Sequence, residues 1–127
     1  MSPHTRQTRG SLGEQIAVDH LETRGYEIVE RNYRTRFGEL DVVAADDAAL
    51  VFCEVKTRVA NGRSGPAMPL DAIGSQKRRR IRRMAAQWLA ESDSTRPSRA
   101  DLRFDAIGVV IDSGGRLLAL EHVEGAF

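Results

Sequence analysis

The chain has 127 residues, of which 41% are hydrophobic, and its 19 basic and 18 acidic residues give a formal net charge of +1. A chain of this length can bury a real core, so we predict a single domain over residues 11–127. Its one cysteine, Cys53, excludes an intramolecular disulfide and favours a reducing cytoplasmic location. No apolar run reaches the ~20 residues that a transmembrane helix needs. Residues 1–10 lack the apolar core of a signal peptide and are predicted to form a flexible tail.

The first predicted helix covers residues 11–24, with Ser11 as its N-cap and Gly25 as its C-cap. Glu14 lies at helical spacing from the apolar residues of this segment, so it shares their inward face. Ser11-x-x-Glu14 also fits a capping box, in which the glutamate bonds the N-cap amide. The spacing leaves a capping role and a site role for Glu14 equally open.

Residues 26–34 are predicted to form a strand of mixed pattern. It ends in Arg31-Asn32-Tyr33-Arg34, a basic and aromatic group of the kind that contacts phosphate or stacks on a base. A solvated strand end accounts for the same composition, and both interpretations stay open.

Two apolar runs, residues 40–45 and 50–55, predict a β-hairpin with its turn at Asp46-Asp47. Because side chains alternate along a strand, Glu39 and Asp41 share one face of the first run. Glu54 and Lys56 share a face of the second run. We interpret this hairpin as the element around which the chain is organised.

A short hairpin could bring Asp41 close to Glu54 and Lys56. Two convergent carboxylates suit a hard divalent cation such as Mg²⁺. Such an ion polarises phosphoryl oxygens and activates water, and a neighbouring lysine can stabilise developing charge or help to deprotonate the water. A surface ion pair between Glu54 and Lys56 is the alternative that the pattern leaves open.

Residues 59–69 contain several turn signals and predict a loop, which could act as a lid or only as a connection. A second helix is predicted over residues 75–91, with Ser75 as its N-cap and an apolar stripe that includes Met84 and Trp88. Arg79, Arg82 and Arg83 point away from that stripe, towards phosphate or solvent.

Lys77 shares the apolar side of this second helix and lies in its first turn, where the helix dipole disfavours a cation. A cation in such a place is predicted to bind substrate phosphate. The alternative is that its aliphatic stem packs over the core rim while its ammonium reaches solvent.

Residues 92–100 predict a polar loop, residues 102–111 a largely buried strand, residues 112–115 a turn and residues 116–123 a peripheral strand. The three histidines are scattered without metal-ligand spacing, so the sequence does not favour a zinc site. Helix, three strands, helix and two strands together predict an α/β domain with one mixed sheet.

The sequence resembles the bacterial UPF0102 (YraN-like) family. That family is in turn similar to the PD-(D/E)xK nuclease superfamily, and within it to the archaeal Holliday-junction resolvases. The resemblance extends over most of the chain and is carried by motifs in the family's order. They are Gly13-Glu14 with Ala17, Arg31-Asn32-Tyr33-Arg34, Gly38-Glu39-Leu40-Asp41, residues 51–58, Lys77 with its basic helix, and Arg103-Phe104-Asp105. This chain lacks the proline that the superfamily name places before the aspartate.

The resemblance implies a restriction-endonuclease-like core with an added C-terminal strand. It implies that Asp41, Glu54 and Glu14 bind Mg²⁺ or Mn²⁺ and that Lys56 is the catalytic lysine. The expected function is endonuclease cleavage of DNA, with branched or structured DNA as the candidate substrate. The residues expected to contact nucleic acid are Lys77, Arg79, Arg82, Arg83, Arg31, Arg34 and Arg58.

Two alternatives remain open at the level of sequence. One is a non-catalytic nucleic-acid binding module on the same scaffold, and the other is an interaction protein whose basic helix docks on an acidic partner. Retention of the full set of carboxylates and lysine favours the nuclease, because a decayed site would more often lack one member. A homodimer is expected from the resolvase-like relatives, because cutting two strands of a junction requires two sites.

Overall fold

The computed structural model describes residues 6–60, 75–92 and 101–126. It confirms the α/β class, with two helices and one five-stranded mixed sheet. Neither of the helices within these ranges is long and apolar enough to cross a bilayer. The elements, in chain order, are α1 (Arg6–Thr23), β1 (Glu27–Thr35), β2 (Gly38–Ala45), β3 (Ala49–Val59), α2 (Ser75–Glu91), β4 (Asp101–Ile111) and β5 (Leu117–Val123).

The strands lie in the sheet in their order along the chain, from β1 at one edge to β5 at the other. The β1–β2, β2–β3 and β4–β5 pairs are antiparallel. β3 and β4 are parallel, from Ala49↔Asp101 to Val59↔Ile111. Parallel neighbours need a crossover, and α2 occurs in the segment between them. The central strands β3 and β4 are therefore buried on both faces along much of their length.

The helices cover opposite faces of the sheet, so the molecule has three layers. The core on the α1 face is built around Ala17, Val18 and Leu21 of the helix, with side chains of β2, β3 and β4 beneath them. The core on the α2 face gathers the apolar stripe that the sequence predicted in that helix. Its buried members from α2 are Ile81, Met84, Ala85 and Trp88.

The start of α1 differs from the prediction. The helix begins at Arg6, so Ser11 lies inside it and is not its N-cap, and the predicted Ser11–Glu14 capping box is wrong. The helix also includes residues 6–10 of the predicted tail, and residues 1–5 lie outside the described ranges. The other end of the helix is as predicted. Gly25 adopts φ 92°, and the Tyr26 amide donates to the Leu21 carbonyl at 3.0 Å, which is a glycine-terminated C-cap.

β3 is longer than predicted at its carboxyl end. It continues to Val59, which pairs with Ile111, so the predicted loop does not begin at residue 59. Residues 61–74, which contain the rest of that loop, and residues 93–100 of the next one lie outside the described ranges.

Candidate functional site

The site is built where β2 and β3 separate. Their antiparallel register runs from Ala45↔Leu50 to Val42↔Cys53. The next residue of β2 is Asp41, and its Oδ2 accepts a hydrogen bond from the Val55 amide at 2.8 Å. A carboxylate thus satisfies a half-buried backbone donor in the gap between the two strands, which fixes Asp41 there.

Two further carboxylates approach Asp41 from the α1 face. Oxygens of Glu14, Glu39 and Asp41 all lie within 4.8 Å of one another, and all three side chains are half-buried. Asn32 of β1 joins this group. We assign its amide nitrogen to the side that faces the acids, because an amide oxygen in that place would face only other acceptors. In this orientation the nitrogen lies 2.7 Å from Glu14 Oε2 and 2.9 Å from Glu39 Oε1. We call Glu14, Glu39 and Asp41 the acidic cluster.

The close approach of α1 to β3 carries Glu14 into the cluster. Gly13 is buried against Thr57, and a Cβ at position 13 would lie 2.8 Å from the Thr57 Cβ. Only glycine leaves room for this contact. Gly13 therefore determines how closely Glu14 approaches the end of the sheet.

The α2 face contributes a second group of charges around Glu54. Glu54 is 7% exposed, and its Oε1 lies 2.6 Å from Lys77 Nζ and 3.8 Å from Lys56 Nζ. Glu54 lies close enough to Asp41, through the gap between the strands, for its negative charge to raise the pKa of Asp41. We call Glu54, Lys56 and Lys77 the lysine cluster. Asp41 links it to the acidic cluster on the other face of the sheet.

Burial and neighbouring negative charges raise the pKa of both Asp41 and Glu14. Burial, followed by the charge of Glu54, raises the pKa of Asp41 to about 8. Burial and then the charge of Glu39 raise the pKa of Glu14. Groups that resist losing their protons in this way have too little positive charge beside them. A divalent cation at this point would supply it.

The two lysines are perturbed in opposite directions. Hydrogen bonding with Lys77, followed by burial, lowers the pKa of Lys56. Burial lowers the pKa of Lys77, but its contacts with Glu54 and Lys56 outweigh that effect and raise it. Lys77 is therefore the amine of the pair that holds its proton more tightly, and Lys56 is the one that loses a proton more readily.

A basic and aromatic surface adjoins the lysine cluster. Arg79, Arg82 and Arg83 are exposed on α2, as their positions on the helix predicted. The Arg82 guanidinium lies 4.9 Å from the Phe104 ring centre, and that of Arg83 lies 5.6 Å from the Phe37 ring centre. Such stacking holds guanidinium groups at the surface without neutralising them.

The arginines of β1 and β3 lie elsewhere. Arg31 donates to Gln15 of α1 at 3.1 Å, and Arg34 pairs with Glu39 at 3.3 Å, so both flank the acidic cluster. Arg58 is half-buried on β3. The predicted nucleic-acid residues are thus divided between the two faces.

The structure brings Glu14, Asp41, Glu54, Lys56 and Lys77 together at one end of the sheet. The sequence interpretation did not include two members of the site. Glu39 could have been found from its position two residues before Asp41, on the same face of the strand. Asn32 gave only the weak signal that asparagine tolerates unusual backbone conformations.

A separate polar network lies between α1, β4 and β5. Asp105 is fully buried and accepts hydrogen bonds from Arg103 Nε at 2.9 Å, from His122 Nε2 at 2.7 Å and from the Gly125 amide at 3.0 Å. His122 Nδ1 in turn lies 3.0 Å from His20 Nε2. The hydrogen bonds of Asp105 join β4 to the C-terminal segment. They account for the Arg103-Phe104-Asp105 motif without assigning it to the site.

Comparison with known proteins places the chain in a family. Residues 13–109 match the model of the uncharacterised protein family UPF0102. A UPF0102 protein of Mycolicibacterium gilvum is 47% identical over 95% of this chain and 94% of its own length. A UPF0102 protein of Mycolicibacterium smegmatis is 50% identical over 86% of this chain and 85% of its own. A third, from Mycobacterium tuberculosis, is 43% identical over 95% and 93%. The chain therefore belongs to the UPF0102 family.

Proposed function

We propose that this protein is a metal-dependent endonuclease that hydrolyses phosphodiester bonds in DNA. The observation that carries the proposal is the acidic cluster, in which three carboxylate oxygens lie within 4.8 Å of one another beside a lysine of lowered pKa. The five-stranded mixed sheet with two helices is compatible with a restriction-endonuclease-like fold. The resemblance of the motifs to PD-(D/E)xK nucleases supports the same conclusion.

The donor set fits a hard divalent cation, because every ligand atom in it is a carboxylate oxygen. Asp41, Glu14 and Glu39 would hold Mg²⁺ or Mn²⁺, with Glu54 reaching it from the other face. A divalent cation supplies Lewis-acid polarisation of a phosphoryl oxygen and lowers the pKa of a coordinated water.

In this proposal the two lysines and the exposed arginines of α2 have different roles. Lys56, with its lowered pKa, accepts or donates a proton at the reacting oxygen and stabilises the charge that develops there. Lys77 binds a phosphate oxygen. The exposed arginines of α2 neutralise neighbouring phosphates, so binding should weaken steeply with added salt.

One observation favours the alternative, a non-catalytic nucleic-acid binding module. Lys77 Nζ lies 2.6 Å from Glu54 Oε1 and so supplies positive charge to a carboxylate that a nuclease would turn towards its metal. In a pure binding module this ion pair would be permanent. In the nuclease, Lys77 exchanges Glu54 for a substrate phosphate.

Cleavage of a fluorescent four-way DNA junction and of linear duplex DNA, with Mg²⁺ or Mn²⁺, tests the two functions. We expect cleavage by the wild type, loss of cleavage in Glu54→Gln and Lys56→Ala, and an unchanged circular dichroism spectrum. Glu22→Gln is the control for Glu54→Gln, because it makes the same substitution at an exposed position of α1 outside the site. Equal cleavage by Glu54→Gln and the wild type would refute the nuclease. Metal-independent binding without nicking of either DNA would establish the binding module.

A further inference from the structure

Asn32 has an unusual backbone for a residue inside a strand. Among the residues that the structure describes, it is the one non-glycine with positive φ, at 55°. Asparagine adopts this left-handed conformation more readily than most residues, but it is still costly in the middle of β1. A conformation of this kind persists where the surrounding structure requires it.

The positive φ of Asn32 changes the face of the sheet towards which the following side chains of β1 point. Arg31 bonds to Gln15 of α1, whereas Tyr33 bonds to Glu91 of α2. Regular alternation would place residues 31 and 33 on the same face. The left-handed residue between them removes that constraint, and the Asn32 side chain turns to the α1 face instead.

β2 changes face at the matching step. Arg31↔Val42 and Tyr33↔Leu40 pair across the two strands, which places Asn32 opposite Asp41. Leu40 belongs to the core on the α2 face, and Val42 belongs to the core on the α1 face. The two irregularities thus coincide, and they direct Asn32 and Asp41 towards the same group of acids.

The Asn32 amide joins the other two carboxylates. In the assigned orientation its nitrogen lies 2.7 Å from Glu14 on the helix and 2.9 Å from Glu39 on the neighbouring strand, so the amide can donate one proton to each acid. A neutral amide draws the acids together without adding positive charge. A lysine or arginine in its place would compete with a cation for the same oxygens.

We propose that Asn32 is a positioning residue for the metal centre and that it holds Glu14 and Glu39 in the geometry that a divalent cation requires. This inference rests on the metal centre of the proposed function. Hydrogen-bonded partners of metal ligands commonly contribute about 10–100-fold to metal affinity. The strained backbone is maintained because it is what delivers the amide to both acids.

Isothermal titration with Mn²⁺ on the full chain, without nucleic acid, tests the inference with two substitutions. Asn32→Gly keeps the left-handed backbone at low cost and removes only the amide, whereas Asn32→Ala removes the amide and adds backbone strain. We expect both to bind Mn²⁺ about 10–100-fold more weakly than the wild type. The matched control is Gln15→Ala, which removes a nearby amide that bonds to Arg31 and to Asp19 but to no member of the acidic cluster.

Two measurements separate positioning from a general loss of structure. The metal-free melting temperature of Asn32→Gly should stay within a few degrees of the wild type. Its binding of DNA in EDTA should not change, because the basic surface of α2 is untouched. Wild-type Mn²⁺ affinity in Asn32→Gly would overturn the inference and leave the proposed function standing. Failure of the wild type to bind Mn²⁺ would overturn both.

Discussion

Metal binding at the acidic cluster should depend on pH because of Asp41. Burial and the charge of Glu54 raise the pKa of Asp41 from its usual 3.8 to about 8. Below that pH a cation must displace the proton that Asp41 holds. The apparent affinity should therefore fall by up to about tenfold for each pH unit, since one pH unit corresponds to ~1.4 kcal/mol. Between about pH 8 and about pH 6 the expected loss is up to ~100-fold, or ~2.7 kcal/mol.

The same pKa predicts the metal-free stability. Asp41 binds its proton more tightly in the folded chain than in the unfolded chain. The free energy of unfolding should therefore decrease as pH rises from about 4 towards about 8. Asp41→Asn removes the ionisable group, so this part of the pH dependence should disappear. The variant should unfold at a higher urea concentration than the wild type at about pH 8, although it binds metal poorly.

Calorimetric titration of Mn²⁺ at three pH values, in buffers that differ in ionisation enthalpy, measures both the affinity and the number of protons released. We expect close to one proton per ion at the lower pH values and progressively fewer near pH ~8. Glu22→Gln should reproduce the wild-type slope. Tight Mn²⁺ binding that neither varies with pH nor releases protons would refute the reasoning about Asp41.

Three further predictions concern other groups of the protein. Lys77→Gln removes the main cause of the lowered pKa of Lys56, so the titration of the Lys56 amine, followed by NMR of methylated lysines, should move to higher pH. Gly13→Ala should lower the free energy of unfolding by about 1–3 kcal/mol in urea, because the new methyl overlaps Thr57. Thr57→Gly should restore part of that loss, and no rescue would argue against the contact. Asp105→Asn should destabilise by about 3–5 kcal/mol in the same assay, because it leaves buried donors without their charged acceptor.

Local periodicity was enough to predict the elements that carry most of the site. The hairpin of β2 and β3 and the apolar stripe of α2 follow from patterns within single segments. That is why Asp41, Glu54 and Lys56 could be grouped from strand alternation and a short turn alone. Lys77 was identified because it is a cation both on the apolar side of α2 and in its first turn, where the helix dipole disfavours positive charge. The structure places it against the buried carboxylate of Glu54.

The features that could not be predicted depend on contacts between distant segments. α1 begins five residues before Ser11, and it continues through Gly10, a residue that weakens helices. The face change at Asn32 arises from its pairing with β2 and its bonds to two acids, neither of which leaves a sequence pattern. His20 and His122 are separated by 102 positions and meet only in the folded sheet.

The separation of β2 and β3 has a consequence for folding. The acidic cluster needs α1 on one face, the lysine cluster needs α2 on the other, and Asp41 joins them only when the sheet between is complete. A partly folded chain that lacks α1 would lack Glu14 and with it the complete acidic cluster. A cation bound there would therefore select the molecule in which α1 is packed on the sheet, and would add about 2.7 kcal/mol to its free energy of unfolding at 100 times its Kd. Metal affinity would thus report on whether α1 and the sheet have assembled.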